Sequence, residues 1–125
     1  MTIEYTIRKG TTIPLRLADP GSSGATIRLA SSAERKAGEA ALGDDDTSVV
    51  AIDERSLLLT WVGTICETGY TLGLSIGLAG VVITGDARQG CDTGRVVFAA
   101  ALMLPRVVEP DAFAIDLRPP VLLDR

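Results

Sequence analysis

The amino-acid sequence predicts an all-β protein: an immunoglobulin-like Greek-key β-sandwich of about 7–9 strands, with one short helix or loop at 31–43. Three observations carry that expectation. Apolar residues recur at every second position through most of the chain, the period of a half-buried strand. Glycine is frequent, at 13 residues, and aromatics make up only 4%, which suits short strands joined by tight turns. Two cysteines, Cys66 and Cys91, stand at the exit of one strongly apolar strand and the entrance of another. A length of 125 residues fits one domain, placed at 1–118 with a C-terminal tail at 119–125.

Thr2 to Arg8 sets Ile3, Tyr5 and Ile7 on one face and Thr2, Glu4, Thr6 and Arg8 on the other. After a turn at Lys9-Gly10, Ile13, Leu15 and Leu17 alternate with Pro14, Arg16 and Ala18. Proline donates no ladder hydrogen bond, so this second strand is expected at a sheet edge or with a bulge at Pro14. Asp19 to Gly24 carries turn residues, and a third strand follows with Ile27 and Leu29 inward. Ser31 to Asp46 leaves the β pattern. Ser31 followed three places on by Glu34 is a capping-box signature, and Gly43 suits a C-terminal stop. Between them Ala33, Ala37, Ala40 and Ala41 fall on one helical face. Gly38 opposes a helix by about 1 kcal/mol relative to alanine, so helix and mobile loop both stay open.

Thr47 to Asp53 reads as a strand, and Asp53 to Ser56 turns the chain. Leu57 to Gly63 is apolar on both faces and therefore central, with Leu57, Leu59 and Trp61 sharing a side. Gly69-Tyr70 to Gly85 forms a hairpin about a turn at Gly77–Gly80. Arg95 to Met103 places Val96, Phe98, Ala100 and Leu102 on one face and Val97, Ala99, Ala101 and Met103 on the other. Ala112 to Arg118 is the last strand, with Phe113, Ile115 and Leu117 inward, and Pro119-Pro120 ends regular structure. Cys66 and Cys91 form a disulfide or stay two unrelated buried thiols. A disulfide needs Cα atoms within about 7 Å, which makes strands 57–63 and 95–103 antiparallel neighbours or near-neighbours. Such a link contributes roughly 3–4 kcal/mol in the chain-entropy model and implies an oxidising compartment.

Composition excludes several functions. A net charge of −4 and a pI near 4.7 argue against a nucleic-acid partner, whose phosphates need a cationic surface. The chain has no histidine, which removes Ser-His-Asp and Cys-His machinery and the commonest zinc ligand. Asp44-Asp45-Asp46 lacks the alternating spacing of a calcium loop and reads as a solvated acidic turn, so no metal and no cofactor are expected. No transmembrane segment is expected, because the apolar run from Leu72 to Ile83 is shorter than the roughly 20 residues a spanning helix needs and has period two.

Trp61 to Glu67, then Cys91 to Phe98, followed by Pro105 and Val107, resembles domains of secreted or lipid-anchored bacterial proteins of unknown function. The resemblance covers Leu57 to Asp111 and implies an extracytoplasmic (secreted or cell-surface) setting, no assigned activity, and a leader or anchor absent from this chain. The expected function is a non-catalytic interaction or structural domain, not an enzyme. Its candidate interface, for a protein partner or homodimer, is the small apolar face of Val97, Ala99, Ala101 and Met103, unless the alanine helix covers it. The alternative is a small-ligand or carbohydrate-binding module using a rim of Trp61, Glu67, Tyr70, Arg88, Gln89 and Asp92, although Trp61 on a doubly apolar strand also suits the core. Hydrolysis by paired Glu67 and Asp92 would need a cleft and one raised pKa, and no catalytic residue is assigned.

Overall fold

The structure, a computed structural model, describes residues 1–8, 10–18, 24–75, 77–90 and 94–123, with the side chain of Arg8 left aside. The predicted turn at Lys9, the loop at Asp19–Ser23, and Cys91 and Asp92 lie outside the described residues. Alternating apolarity gives a β-rich chain, 58% strand and 12% helix. Ten strands stand among the described residues: β1 (Thr2–Arg8), β2 (Thr11–Ala18), β3 (Thr26–Leu29), β4 (Thr47–Ala51), β5 (Ser56–Thr64), β6 (Glu67–Leu74), β7 (Gly80–Arg88), β8 (Arg95–Met103), β9 (Ala114–Leu117) and β10 (Val121–Leu123). Helix α1 (Ser32–Leu42) joins β3 to β4, and a 3-10 turn at Pro110–Ala112 precedes β9.

Two sheets result. One has the order β1-β2-β6-β7-β10 with β9 also on β7, and the other has the order β3-β8-β5-β4. The second sheet is antiparallel throughout, and β5 pairs β8 from Ser56↔Met103 to Thr64↔Arg95, as a rim link between Cys66 and Cys91 would require. The first sheet is mixed: β2 runs parallel to β6, and β9 and β10 run parallel to β7. The strand number exceeds the expected range because the last edge strand is split. β9 pairs Gly80–Ile83 and β10 pairs Asp86–Arg88 of the same strand, with Pro119-Pro120 between them. Val121–Leu123, expected in a tail, therefore belong to a sheet.

Residues of both sheets meet in one core, where Tyr5, Leu15, Leu72 and Ile83 face Leu57, Leu59, Trp61, Phe98 and Leu102. The edge placement expected for β2 is corrected, since it lies between β1 and β6. Pro14 is tolerated there because pairing with β6 begins only at Leu15↔Tyr70. Gly69 keeps β6 clear of the ring, as a Cβ on Gly69 would stand 3.2 Å from Pro14 Cγ. β3 borders β8 only at Ala100–Met103. Beyond it the Tyr5 hydroxyl donates to the Val97 carbonyl at 3.2 Å, giving that backbone oxygen a partner. Leu29, expected inward, is 43% exposed at this edge.

The capping signal resolves the 31–43 segment as a helix. Ser31 Oγ accepts from the Glu34 N–H at 3.1 Å, and the Glu34 carboxylate accepts from the Ser31 N–H at 2.8 Å. Arg28 binds the same carboxylate through both guanidinium nitrogens, at 2.8 and 2.9 Å. With the Ser31 N–H, that contact holds the Glu34 carboxyl at about 2, well below the usual carboxylate range. The packing face is not the alanine face. Ala33, Ala37, Ala40 and Ala41 are exposed, whereas Gly38 and Leu42 are buried. Gly38 is the contact point because a side chain there would overlap Thr60 Oγ1 and come 3.2 Å from Leu58 Cδ2. Gly38→Ala is therefore expected to destabilise the protein by about 1 kcal/mol net, since overpacking of about 1–3 kcal/mol outweighs the helix-propensity gain. Urea titration checks the sign, and a stabilised variant would show that the helix does not press on β5.

Candidate functional site

The inter-sheet corner after β5 is built by side chains as much as by backbone. Thr64-Ile65-Cys66-Glu67 carries the chain from one sheet into the other. Glu67 Oε2 accepts from the Thr64 N–H at 2.8 Å and also from the Thr64 hydroxyl. Thr64 Oγ1 in turn accepts from the Cys66 N–H at 3.1 Å. On the neighbouring strand, the Arg88 N–H donates to the Cys66 carbonyl at 3.1 Å. These bonds satisfy backbone groups that a buried corner would otherwise leave dry. They also hold a carboxylate that is only 6% exposed.

Behind Glu67 lies an aromatic cluster. Trp61 stacks on Phe98 with ring centroids 5.9 Å apart, and Tyr70 meets both rings edge-on at 5.5 and 4.9 Å. Two glycines make room for Tyr70. A Cβ on Gly85 would come 2.7 Å from its Cε1, and one on Gly63 would overlap its hydroxyl. Burial raises the Tyr70 phenol well above the ordinary tyrosine range, and the Glu67 charge beside it adds to the rise. Burial also raises Tyr5, against the charge of Arg35 and a backbone N–H that favour its ionised form. The sign follows: each folded pKa exceeds the unfolded value, so this contribution is full below about pH 10 and is lost as pH rises beyond it. Absorbance at 295 nm is thus expected to show no tyrosinate until the chain unfolds in alkali, both tyrosines then appearing together. Early titration of either would contradict its burial.

In front of Glu67 the sheets part. A cleft of about 220 Å³ is lined by Val62, Glu67, Tyr70, Gly85, Leu117 and Arg118, with Pro119 and Pro120 on its wall. It adjoins one of about 360 Å³, whose lining includes Val62, Cys66, Glu67, Ala87, Arg88 and Leu122. The opening lies where the last edge strand breaks: β9 rests against β4 of the opposite sheet, whereas β10, among the described residues, hydrogen-bonds to β7 alone.

The structure thus brings Glu67, Tyr70, Arg88 and Gln89 of the predicted rim to one opening. Trp61 is not among them; it is fully buried in the core, because its strand is covered on both faces. Asp92 lies outside the described residues, and with it the Glu67–Asp92 pair. The predicted interface is divided. Ala99 and Ala101 are 1% and 2% exposed, Val97 is half-buried and Met103 is 47% exposed. Ala99 packs with Leu58 and Ala30, and α1 lies over β4 and β5 and reaches β8. Sequence reasoning missed Gly63, Gly85, Pro120 and Leu122. A signal existed for the glycines, since glycine inside a strand marks close approach by another group.

Asp44, Asp45 and Asp46 are exposed, and among the described residues no cluster of His, Cys, Asp or Glu could hold a metal ion. No helix among the described residues is long and apolar enough to cross a membrane. No protein-family model, curated protein or solved structure matches the chain.

Proposed function

We propose that the chain is a non-catalytic extracytoplasmic interaction or structural domain whose working surface is the β10 edge and the cleft beside it. One observation carries this reading: Val121, Leu122 and Leu123 are 52%, 58% and 41% exposed on a strand that, among the described residues, has a neighbour on one side only. Unpaired backbone and contiguous apolar side chains at an edge are a template for another chain. The site differs from the β8 face expected from the sequence, which α1 already occupies in part. A photo-crosslinking amino acid at position 122, with position 12 on an exposed part of β2 as control, tests it in the producing cells. An adduct with another protein from position 122 alone is expected. No adduct from either position overturns the reading.

The extracytoplasmic setting, the likeness to secreted or lipid-anchored bacterial domains and the Cys66–Cys91 link belong to the same proposal. Its support is the Thr64↔Arg95 register, which brings the two segments to one rim, and the absence of a free cysteine among the described residues. Thiol titration of the unfolded protein checks it. No reactive thiol before reduction and two after it are expected, and two before it would remove the compartment argument. An immunoglobulin-like Greek key is part of this proposal too, supported by the two-sheet core. The parallel β2–β6 pairing is its least typical feature.

The buried Glu67 beside Tyr70 favours a second reading, a small-ligand module using the clefts. Carbohydrate stacking has little to work with, because Tyr5, Trp61, Tyr70 and Phe98 are committed to one buried cluster. A sugar and small-amine panel read by thermal shift tests it. A shift that Glu67→Gln abolishes supports the reading, and no shift across the panel ends it.

A further inference from the structure

Edge strands are normally blunted by charge, proline or a covering element. β9 has β4 beside it, whereas β10 presents Val-Leu-Leu with, among the described residues, no strand neighbour on its outer side. Leu122 stands in register with Ala87, which is 4% exposed, and so lies on the inter-sheet side; it nevertheless remains 58% exposed, over the cleft of about 360 Å³. That space is near the lower end of ligand pockets, about 300–1,000 Å³, and accepts one or two apolar side chains. A second copy is a poor occupant. Pairing through three residues of edge falls far short of the roughly 20–30 residues and about 800 Å² that each partner contributes to a stable interface, whereas an extended peptide needs only the edge and the cleft.

Charge narrows the partner further. The chain carries a net −4, and this rim bears Arg88 and Arg95, the latter opposite Thr64 of the cleft lining, against an exposed Asp86 in register with Val121 and a Glu67 carboxylate already bonded by Thr64. Both arginines are exposed, and neither makes an ion pair among the described residues. We infer that β10 receives an extended peptide from a protein partner as an added strand, with an apolar side chain in the cleft over Val62 and Leu122 and an acidic one at Arg88. Backbone pairing supplies the affinity, and the cleft and the arginine supply the selection. This rests on the interaction reading above and names its partner class.

The test uses two blocked pentapeptides, Val-Leu-Val flanked by glutamates and the same core flanked by lysines, titrated into the ¹⁵N-labelled protein. Saturable amide shifts at Ala87–Gln89 and Val121–Leu123 are expected, with the glutamate peptide binding at least about fivefold more tightly. Arg88→Glu, an exposed change, should reverse that order. No saturable shift at β10, or a preference that Arg88→Glu leaves intact, overturns the inference. So does a sedimentation dimer with the β10 amides protected, which would assign the edge to a second copy. A cross-link from position 122 without peptide binding sinks only the peptide; loss of both sinks the interaction reading as well.

Discussion

Trp61→Ala is expected to lower stability by about 3–5 kcal/mol, the usual cost of removing a large buried aromatic and leaving its cavity. The indole is fully buried between Phe98 and Tyr70, so its loss uncouples the aromatic contact that joins the sheets. A fall in Tm on the order of 10–20 °C should follow for a chain of this size. Trp61→Phe should cost far less, because it keeps an aromatic ring between Phe98 and Tyr70, and among the described residues no hydrogen-bond acceptor within bonding geometry is lost with the indole Nε1. Thermal and urea unfolding of both variants check this. A small loss in Trp61→Ala would place the side chain at the surface and restore it as a ligand platform.

Gly63→Ala is the second large effect, with an expected loss of about 2–3 kcal/mol from overpacking. The added methyl would overlap the Tyr70 hydroxyl, reach 2.8 Å from Phe98 Cε2 and stand 3.2 Å from Glu67 Oε1. All three neighbours are buried and cannot swing away. Combining Gly63→Ala with Tyr70→Phe removes the nearest obstacle, so the double variant should lose less than the sum of the singles. Strict additivity would mean that Gly63 does not make room for Tyr70.

Much of the fold was legible because alternation depends only on which face of a strand meets the core. The apolar Leu57–Gly63 segment, the hairpin and the opposed faces of Arg95–Met103 all follow from it. The Ser31–Glu34 capping box was equally local, since cap and acceptor are three residues apart. The same spacing misleads elsewhere: Thr64 and Glu67 also stand three apart, yet they close an inter-sheet corner, because β-forming sequence on both sides leaves no helix to cap. The four alanines share a helical face, but sharing a face did not say which face packs. Propensity favours alanine on the solvent side, while the closest helix–sheet approach falls on Gly38.

The candidate site was half legible. Glu67, Tyr70, Arg88 and Gln89 were grouped from the sequence and stand at one corner, but Leu122 and the prolines were not grouped with them, because their place depends on a parallel pairing with β7. Proline removes donors without telling the chain where to go next. By itself the sequence determined which segments extend, where the helix starts and which side of each central strand is apolar, all consequences of local covalent chemistry and side-chain period. Only the tertiary structure decided that β2 is interior, that α1 lies over β4 and β5 and covers the β8 face only in part, and that the sheets part beside β10. Strand order and sheet closure are set by long-range burial, and residues distant in sequence share a cleft only after that burial is settled.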